Sequence, residues 1–183
     1  MRKDITVKFP VRIAKFKQHD LLKDKLLNAI NSQEVGINRI HNEENDVTRT
    51  DWGTVTWDKR QRDWVDIISS DLYDHIMNWC IMNDYDRFHI NAIWFQQYIK
   101  GGHHAWHVHG SNFTNVYYLD LPKDSPKTQW KDLLGNEGEF DVEEGDIITF
   151  PSWLKHKSPE NNSSEMKTVI SWNMDVLLRE NNS

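Results

Sequence analysis

The chain has 183 residues, a formal net charge of −6 at pH 7, and 38% hydrophobic against 27% charged residues. That length fits one domain, and 9 Trp, 7 Phe and 5 Tyr can fill a sizeable core. The acidic balance argues against nucleic-acid binding through a basic face, and no 18-residue apolar run offers a membrane span. Cys80 is the only cysteine, so no internal disulfide forms, and Met1 to Asp4 lack the apolar run of a signal peptide. Both features favour a cytoplasmic setting.

In chain order, Ile5 to Phe9 and Val11 to Phe16 alternate as one or two early strands, with Pro10 at an edge or bend. Leu21, Leu22, Leu26, Leu27 and Ile30 recur at helical spacing and predict a helix from Asp20 to Asn31. Residues 32–59 are polar and irregular and read as a long loop, with a short strand at Thr54 to Trp57. A loop of that length covers something or is disordered. Trp64, Ile68, Leu72, Ile76 and Trp79 predict a second helix from Arg62 to Asn83, with His75 beside its apolar stripe as a structural residue.

From Phe88 the period changes to two. Strands are expected at Phe88 to Tyr98, Ala105 to His109, Thr114 to Leu121, Gly138 to Val142, Asp146 to Phe150 and Met166 to Leu177. The polar segment Lys123 to Asn136 reads as a rim loop or a surface excursion, and the tail from Arg179 as frayed. Residues 1–183 thus form a single domain, with helices mainly in 18–83 and a sandwich or barrel mainly in 87–178. Asn91, Trp94, Gln96 and Tyr98 are expected on one pocket-facing side of their strand.

Three histidines carry the chemistry. His107 and His109 lie two apart, so on a strand both rings share a face. His156 follows a turn, a buried strand and a Pro-bounded loop, and supplies a third arm. Imidazole suits Fe, Zn, Cu and Ni. Three rings with open positions fit an iron site that takes a chelating cosubstrate and O2, or a zinc site that holds a water. His103 and His104 stand nearby as substitute ligands or supporting groups.

Here the chain resembles the Fe(II)/2-oxoglutarate-dependent oxygenase superfamily, its prolyl-hydroxylase-like branch above all, in a compact phage or marine bacterial form. The ordered set covers about Asn91 to Val176. It comprises Tyr98 and Gly101, then His107-Val108-His109, then Val116-Tyr117-Tyr118-Leu119, then His156, and Lys167 eleven positions on. The resemblance implies a double-stranded β-helix (a jelly roll), mainly β with flanking helices. It implies Fe(II) as cofactor and 2-oxoglutarate as cosubstrate. It also implies a hydroxylation whose substrate is a protein or peptide side chain such as proline, in the cytoplasm of a bacterial cell or phage-infected host. It places Lys167 and Tyr118 on the distal carboxylate of the cosubstrate, with Tyr98 as a third contact. Alternation along the strand from Met166 puts Lys167, Val169, Ser171 and Asn173 on one face; it permits an inward lysine as well as a solvated one. The family's carboxylate ligand position is His109 in this chain.

The same positions resemble the cupin motifs, Gly101 with His107-Val108-His109 and Gly145 with Pro151 and His156, without the first motif's glutamate. Two alternatives therefore stand beside the oxygenase. One is a cupin-like three-histidine metal dioxygenase that does not use 2-oxoglutarate. The other is a noncatalytic jelly-roll binding protein. Trp153 is expected to pack, and Asn173 to hold a ligand water or a backbone group.

Overall fold

The computed structural model describes residues 9–53 and 62–178. The expected strand at Thr54 to Trp57, most of the one at Ile5 to Phe9, and the tail from Arg179 lie outside the described residues. Eleven strands and two helices are described, in the order β1 (Arg12–Lys15), α1 (His19–Ser32), β2 (Asn38–His41), β3 (Asp46–Thr50), α2 (Asp63–Met82), β4 (Tyr85–Tyr98), β5 (His104–His107), β6 (Phe113–Asp120), β7 (Gln129–Lys131), β8 (Glu137–Glu139), β9 (Asp146–Pro151), β10 (Lys155–Ser158) and β11 (Lys167–Leu178). Seven strands form one antiparallel sheet in the order β1-β9-β6-β11-β4-β3-β2, and four form a second in the order β5-β10-β7-β8. The two sheets are those of a double-stranded β-helix. Among the described residues, no helix is long and apolar enough to cross a membrane.

Both helices fall within a residue or two of their expected ends because their apolar stripes are unambiguous. Leu22, Leu26 and Ile30 of α1, and Trp64, Ile68, Leu72, Ile76 and Trp79 of α2, are buried. They pack with Phe95, Tyr117, Ile170 and Trp172 from one face of the large sheet. A second cluster fills the space between the sheets, with Tyr98, Val116, Tyr118, Ile148, Phe150 and Val169 among its members. Each central strand thus sends alternate side chains into two different cores.

The expected long loop over 32–59 contains an antiparallel pair, β2 with β3. Its composition hides it, because β2 is largely exposed and only Val47 and Thr50 of β3 are buried. The pair is nevertheless tied into the body. Arg49 donates through Nη1 to the carbonyl of Ile30 (2.7 Å), and through Nη2 to that of Gln33, at the end of α1. Asp46 forms an isolated bridge with His103, and Asn45 Oδ1 accepts the Ala105 N–H at 2.9 Å. The hairpin therefore braces the approach to β5. That approach is a tight turn at Gly101-Gly102, with Gly101 at φ +86°. A Cβ on Gly102 would sit 3.0 Å from the Ile99 carbonyl oxygen and 3.2 Å from that of Asp46, so a side chain there displaces backbone.

Three further expectations change. β5 ends at His107, so His109 lies beyond the strand, with its N–H donated to the Ser152 carbonyl (2.9 Å). The rim segment contains β7, and β8 occupies Glu137–Glu139 where Gly138 to Val142 was expected. Asn91 does not share the face of Trp94, Gln96 and Tyr98. The register of β4 with β11 shifts where Asn173 pairs with Ala92 and Met174 with Ile90, which leaves Asn91 as an extra residue. Its amide donates to Ser111 Oγ and Asp175 Oδ2 at the surface. His75 packs edge-on to Phe16 at 6.0 Å, as befits a structural residue.

Asp51, just past β3, joins the layers. Its carboxylate accepts the Phe95 N–H (3.0 Å), the Trp64 indole N–H (3.2 Å) and the Arg62 guanidinium (2.8 Å from Nε), and it is wholly buried. Removing one partner of a buried ion pair typically costs ~3–5 kcal/mol. Asp51→Ala is therefore expected to lower the unfolding free energy, read as a urea midpoint, by about that amount. A loss near zero would show that Arg62 finds water or another acceptor.

Candidate functional site

A cavity of about 210 Å³ opens between the two sheets. Alternation builds its walls. Lys167, Val169 and Ser171 come from β11, Trp94, Gln96 and Tyr98 from β4, and Thr114 and Val116 from β6. The small sheet supplies His107 from β5, and His156 and Ser158 from β10. Trp52, Ile40 and Val108 stand at the open side, Trp52 40% exposed.

His107 and His156 are direct cross-strand partners in the β5–β10 pair, which brings their ring centroids to 4.3 Å. His109 closes the triangle at 5.0 Å from His107 and 5.2 Å from His156. One ring nitrogen from each histidine lies within 4.8 Å of the other two. Ligation at about 2.1 Å per nitrogen brings such atoms to roughly 3 Å from one another, so the rings would draw together on binding an ion. His107 Nδ1 lies 2.7 Å from the Ala105 carbonyl and His156 Nδ1 2.9 Å from the Leu154 carbonyl. A carbonyl only accepts, so Nδ1 of both rings carries the proton and Nε2 is left with a free lone pair.

Burial holds all three rings neutral near pH 7. It pushes His109 down to about 4, lowers His107, and takes His156 well below the ordinary range, with the neighbouring rings adding to the effect on His109 and His156. Neutral imidazole is the form that ligates a metal. The donor set therefore fits a divalent first-row cation such as Fe(II). His104, a substitute ligand by sequence, stacks on His107 at 4.0 Å and lies 3.3 Å from the Gln96 amide, outside the trio. Burial takes it down to about 3. His103 turns to the Gly101 carbonyl.

Lys167 faces inward and is 1% exposed. Its ammonium donates to the Pro126 carbonyl (2.8 Å) and Ser158 Oγ (3.0 Å), and lies 5.3 Å from the centre of the Tyr98 ring. An ammonium has three N–H groups, and two of them are used here. No carboxylate pairs with it among the described residues, and burial lowers it to about 7. Tyr98 lines the cavity beside it. Tyr118 does not line it: its hydroxyl, fully buried, donates to Thr128 Oγ1 at 2.7 Å, and Thr128 forms the wall in its place. Trp153 packs edge-on to Phe9 at 4.8 Å. Thr128, Ser158 and Trp52 were not anticipated. Ser158 was within reach, since it stands two residues after His156 on one strand. Thr128 and Trp52 lie in aperiodic stretches that give no sign of direction.

No protein-family model and no curated protein matches the sequence. Solved structures match the fold over almost the whole chain. One is a viral collagen prolyl hydroxylase from Paramecium Bursaria Chlorella virus-1, in a complex with 2-oxoglutarate, at TM-score 0.61 and 14% identity, covering 92% of this chain and 96% of that one. Another is a 2-oxoglutarate-Fe(II) oxygenase family oxidoreductase from Burkholderia pseudomallei, at TM-score 0.69 and 11% identity, covering 93% and 88%. A third is a prolyl hydroxylase in complex with a hypoxia inducible factor oxygen degradation domain peptide fragment, from Trichoplax adhaerens, at TM-score 0.64 and 15% identity, covering 90% and 83%. The chain has the double-stranded β-helix fold of these oxygenases.

The depressed histidines make the metal-free protein acid-sensitive. A ring at about 4 or 3 in the folded chain and near 6.5 when unfolded binds its proton preferentially in the unfolded state. Their contribution is complete above about pH 6.5 and is lost as pH falls towards 4, by at most about 1.4 kcal/mol per unit for each ring. Metal-free protein is thus expected to show a lower urea midpoint at pH 5 than at pH 7. His104→Gln is expected to reduce that difference. An unchanged difference would place the sensitivity elsewhere.

Proposed function

We propose that the chain is a 2-oxoglutarate- and Fe(II)-dependent dioxygenase that hydroxylates a second substrate, a protein or peptide side chain such as proline. The observation that carries this reading is Lys167, a buried ammonium with no carboxylate in direct contact among the described residues and only the more distant charge of Glu139 to favour it, in the same cavity as three converging neutral imidazoles. A buried cation left without a counter-charge is costly. A dicarboxylate cosubstrate supplies that counter-charge at one end and reaches the metal at the other. The fold shared with the Chlorella virus enzyme, whose structure holds 2-oxoglutarate, supports the cosubstrate. The Trichoplax enzyme with its peptide supports the substrate class.

His107, His109 and His156 would hold Fe(II). When bound, iron with 2-oxoglutarate supplies O2 activation coupled to oxidative decarboxylation. The chain's own residues bind and orient. Lys167 takes the distal carboxylate through its unused N–H. Ser158 and Thr128 line the same end and offer hydroxyls to it, and Tyr98 shields the contact from water. Tyr118 acts one step back, by fixing Thr128. Trp94 and Trp52 wall the open side, where the second substrate enters.

One feature favours a second reading. The all-histidine set, with no carboxylate, is also that of a cupin-like dioxygenase that does not use 2-oxoglutarate. Titrating 2-oxoglutarate into anaerobic Fe(II) protein separates the two. A visible charge-transfer band is expected, and Lys167→Ala, verified as folded by circular dichroism, is expected to abolish it. Bound iron without that band would favour the cupin-like reading. Protein that retains no metal would leave a noncatalytic binding protein.

The lysine also sets a pH signature. In the free protein it titrates at about 7, and a bound carboxylate raises it again. Binding above pH 7 therefore takes up a proton. The affinity for 2-oxoglutarate is expected to fall by about tenfold per pH unit between 7.5 and 9. A flat profile over that range would remove Lys167 from the contact.

A further inference from the structure

His109 is held differently from its two neighbours. His107 and His156 each tie Nδ1 to a backbone carbonyl two residues earlier. His109 Nδ1 instead faces a side chain, the Asn173 amide, with Nδ2 at 3.3 Å. Asn173 is 7% exposed, on the cavity-facing side of β11, one position before the register shift. Its Oδ1 accepts the Thr114 hydroxyl at 3.0 Å, and Thr114 Oγ1 lies 2.8 Å from Ser152 Oγ. Ser152 in turn accepts the His109 backbone N–H through its carbonyl. The chain His109–Asn173–Thr114–Ser152 thus closes on itself.

The polarity of this ring matters. With Nδ2 toward His109, the amide donates and ring Nδ1 accepts. The neutral ring then carries its proton on Nε2, and that nitrogen cannot coordinate. Turning the amide by 180° presents Oδ1, which accepts an Nδ1–H and frees the Nε2 lone pair. The other members tolerate the turn. Thr114 is a hydroxyl, so it can accept from Asn173 Nδ2 and pass its own proton to Ser152 Oγ. His109 Nδ1, the Asn173 amide and the Thr114 hydroxyl each keep a partner in either sense, and Ser152 Oγ changes from donor to acceptor.

We propose that Asn173 is the positioning residue of His109: its side-chain oxygen fixes the ring as an Nε2 ligand in the place where the resembling family has a carboxylate. This rests on the three-histidine metal reading and goes beyond it. All three rings then ligate through Nε2 and keep an Nδ1–H, two on backbone carbonyls and one on Asn173. Outer partners of this kind typically change metal affinity by roughly 10–100-fold when removed.

Co(II) titration, with proton NMR of the Co(II) protein in water, tests the proposal without reference to activity. Wild type is expected to show three exchangeable, paramagnetically shifted N–H signals, one per ring. Asn173→Ala is expected to bind Co(II) roughly 10–100-fold more weakly and to lose one of the three. Asn173→Asp keeps an acceptor, and should restore that signal and bind at least as tightly as wild type. Asn173→Ala with unchanged affinity and three signals overturns the role of Asn173 and leaves the metal site standing. Asn173→Asp, verified as folded by circular dichroism, that binds Co(II) roughly 10–100-fold more weakly than wild type also overturns it, whether or not the alanine variant folds. Wild type that binds no Co(II), or binds it equally well as His107→Ala, overturns the metal site and the role of Asn173 together.

Discussion

Alternation along β11, a strand paired on both edges, is the constraint on which the rest of the structure depends. β4 and β6 close its two edges, the helices cover one face and the space between the sheets takes the other, so residues 167–174 are all buried. Ile170, Trp172 and Met174 enter the core beneath the helices, while Lys167, Val169, Ser171 and Asn173 face the space between the sheets. A slip of one residue would bury the lysine under α1 and α2 and push Trp172 into the cavity. Because β11 pairs with β4 and β6, its register also sets theirs. Trp94, Gln96 and Tyr98, and Thr114 and Val116, reach the same cavity for that reason.

The cavity is unusual in its charge. Its lining includes three converging imidazoles and a fourth stacked on one of them, and among the described residues it includes no carboxylate. The lining cations are Lys167 in its depth and Lys157 beside Trp106. Burial keeps the rings neutral and weakens the hold of Lys167 on its proton. Such a site has its charge demand inverted relative to one built on a carboxylate ligand. A divalent cation entering here meets no anion among the described residues, so negative charge is best supplied by the ligand. An anionic cosubstrate and the metal would then stabilise one another, and both would stabilise the lysine.

Support for the trio comes from outside the cavity. Two rings are held by backbone carbonyls two residues earlier, a local device that needs no distant partner. The third is held by β11 through Asn173. The β2–β3 hairpin and the Gly101-Gly102 turn fix where β5 begins, and so where His107 sits. Asp51 anchors the chain between β3 and α2 and thereby places Trp52 against Trp94, with ring centroids 4.4 Å apart.

Both helices, the mainly β second half and the three histidines were legible in the residues, because each rests on a local period or a short ordered motif; the inward turn of Lys167 was implied only by the family resemblance. The period of two in β11 was enough to group Lys167, Val169, Ser171 and Asn173. The β2–β3 pair was not legible, because a mostly exposed pair needs no apolar pattern. Asn91 was misplaced because it stands three positions from Trp94, an odd step that alternation alone sends to the opposite face. His109 was expected on a strand and lies past its end, yet it converges, since the Ser152 carbonyl does what strand geometry was expected to do. By itself, then, the sequence determined which side chains share a face and which residue types could ligate. Only the tertiary structure decided that Thr128 stands between Tyr118 and the cavity, that Ser158 shares the lysine, and that Asn173 meets His109. Those are meetings of side chains 10, 9 and 64 positions apart, brought about by the pairing of strands around β11 and the closing of the small sheet over it, which no local period encodes.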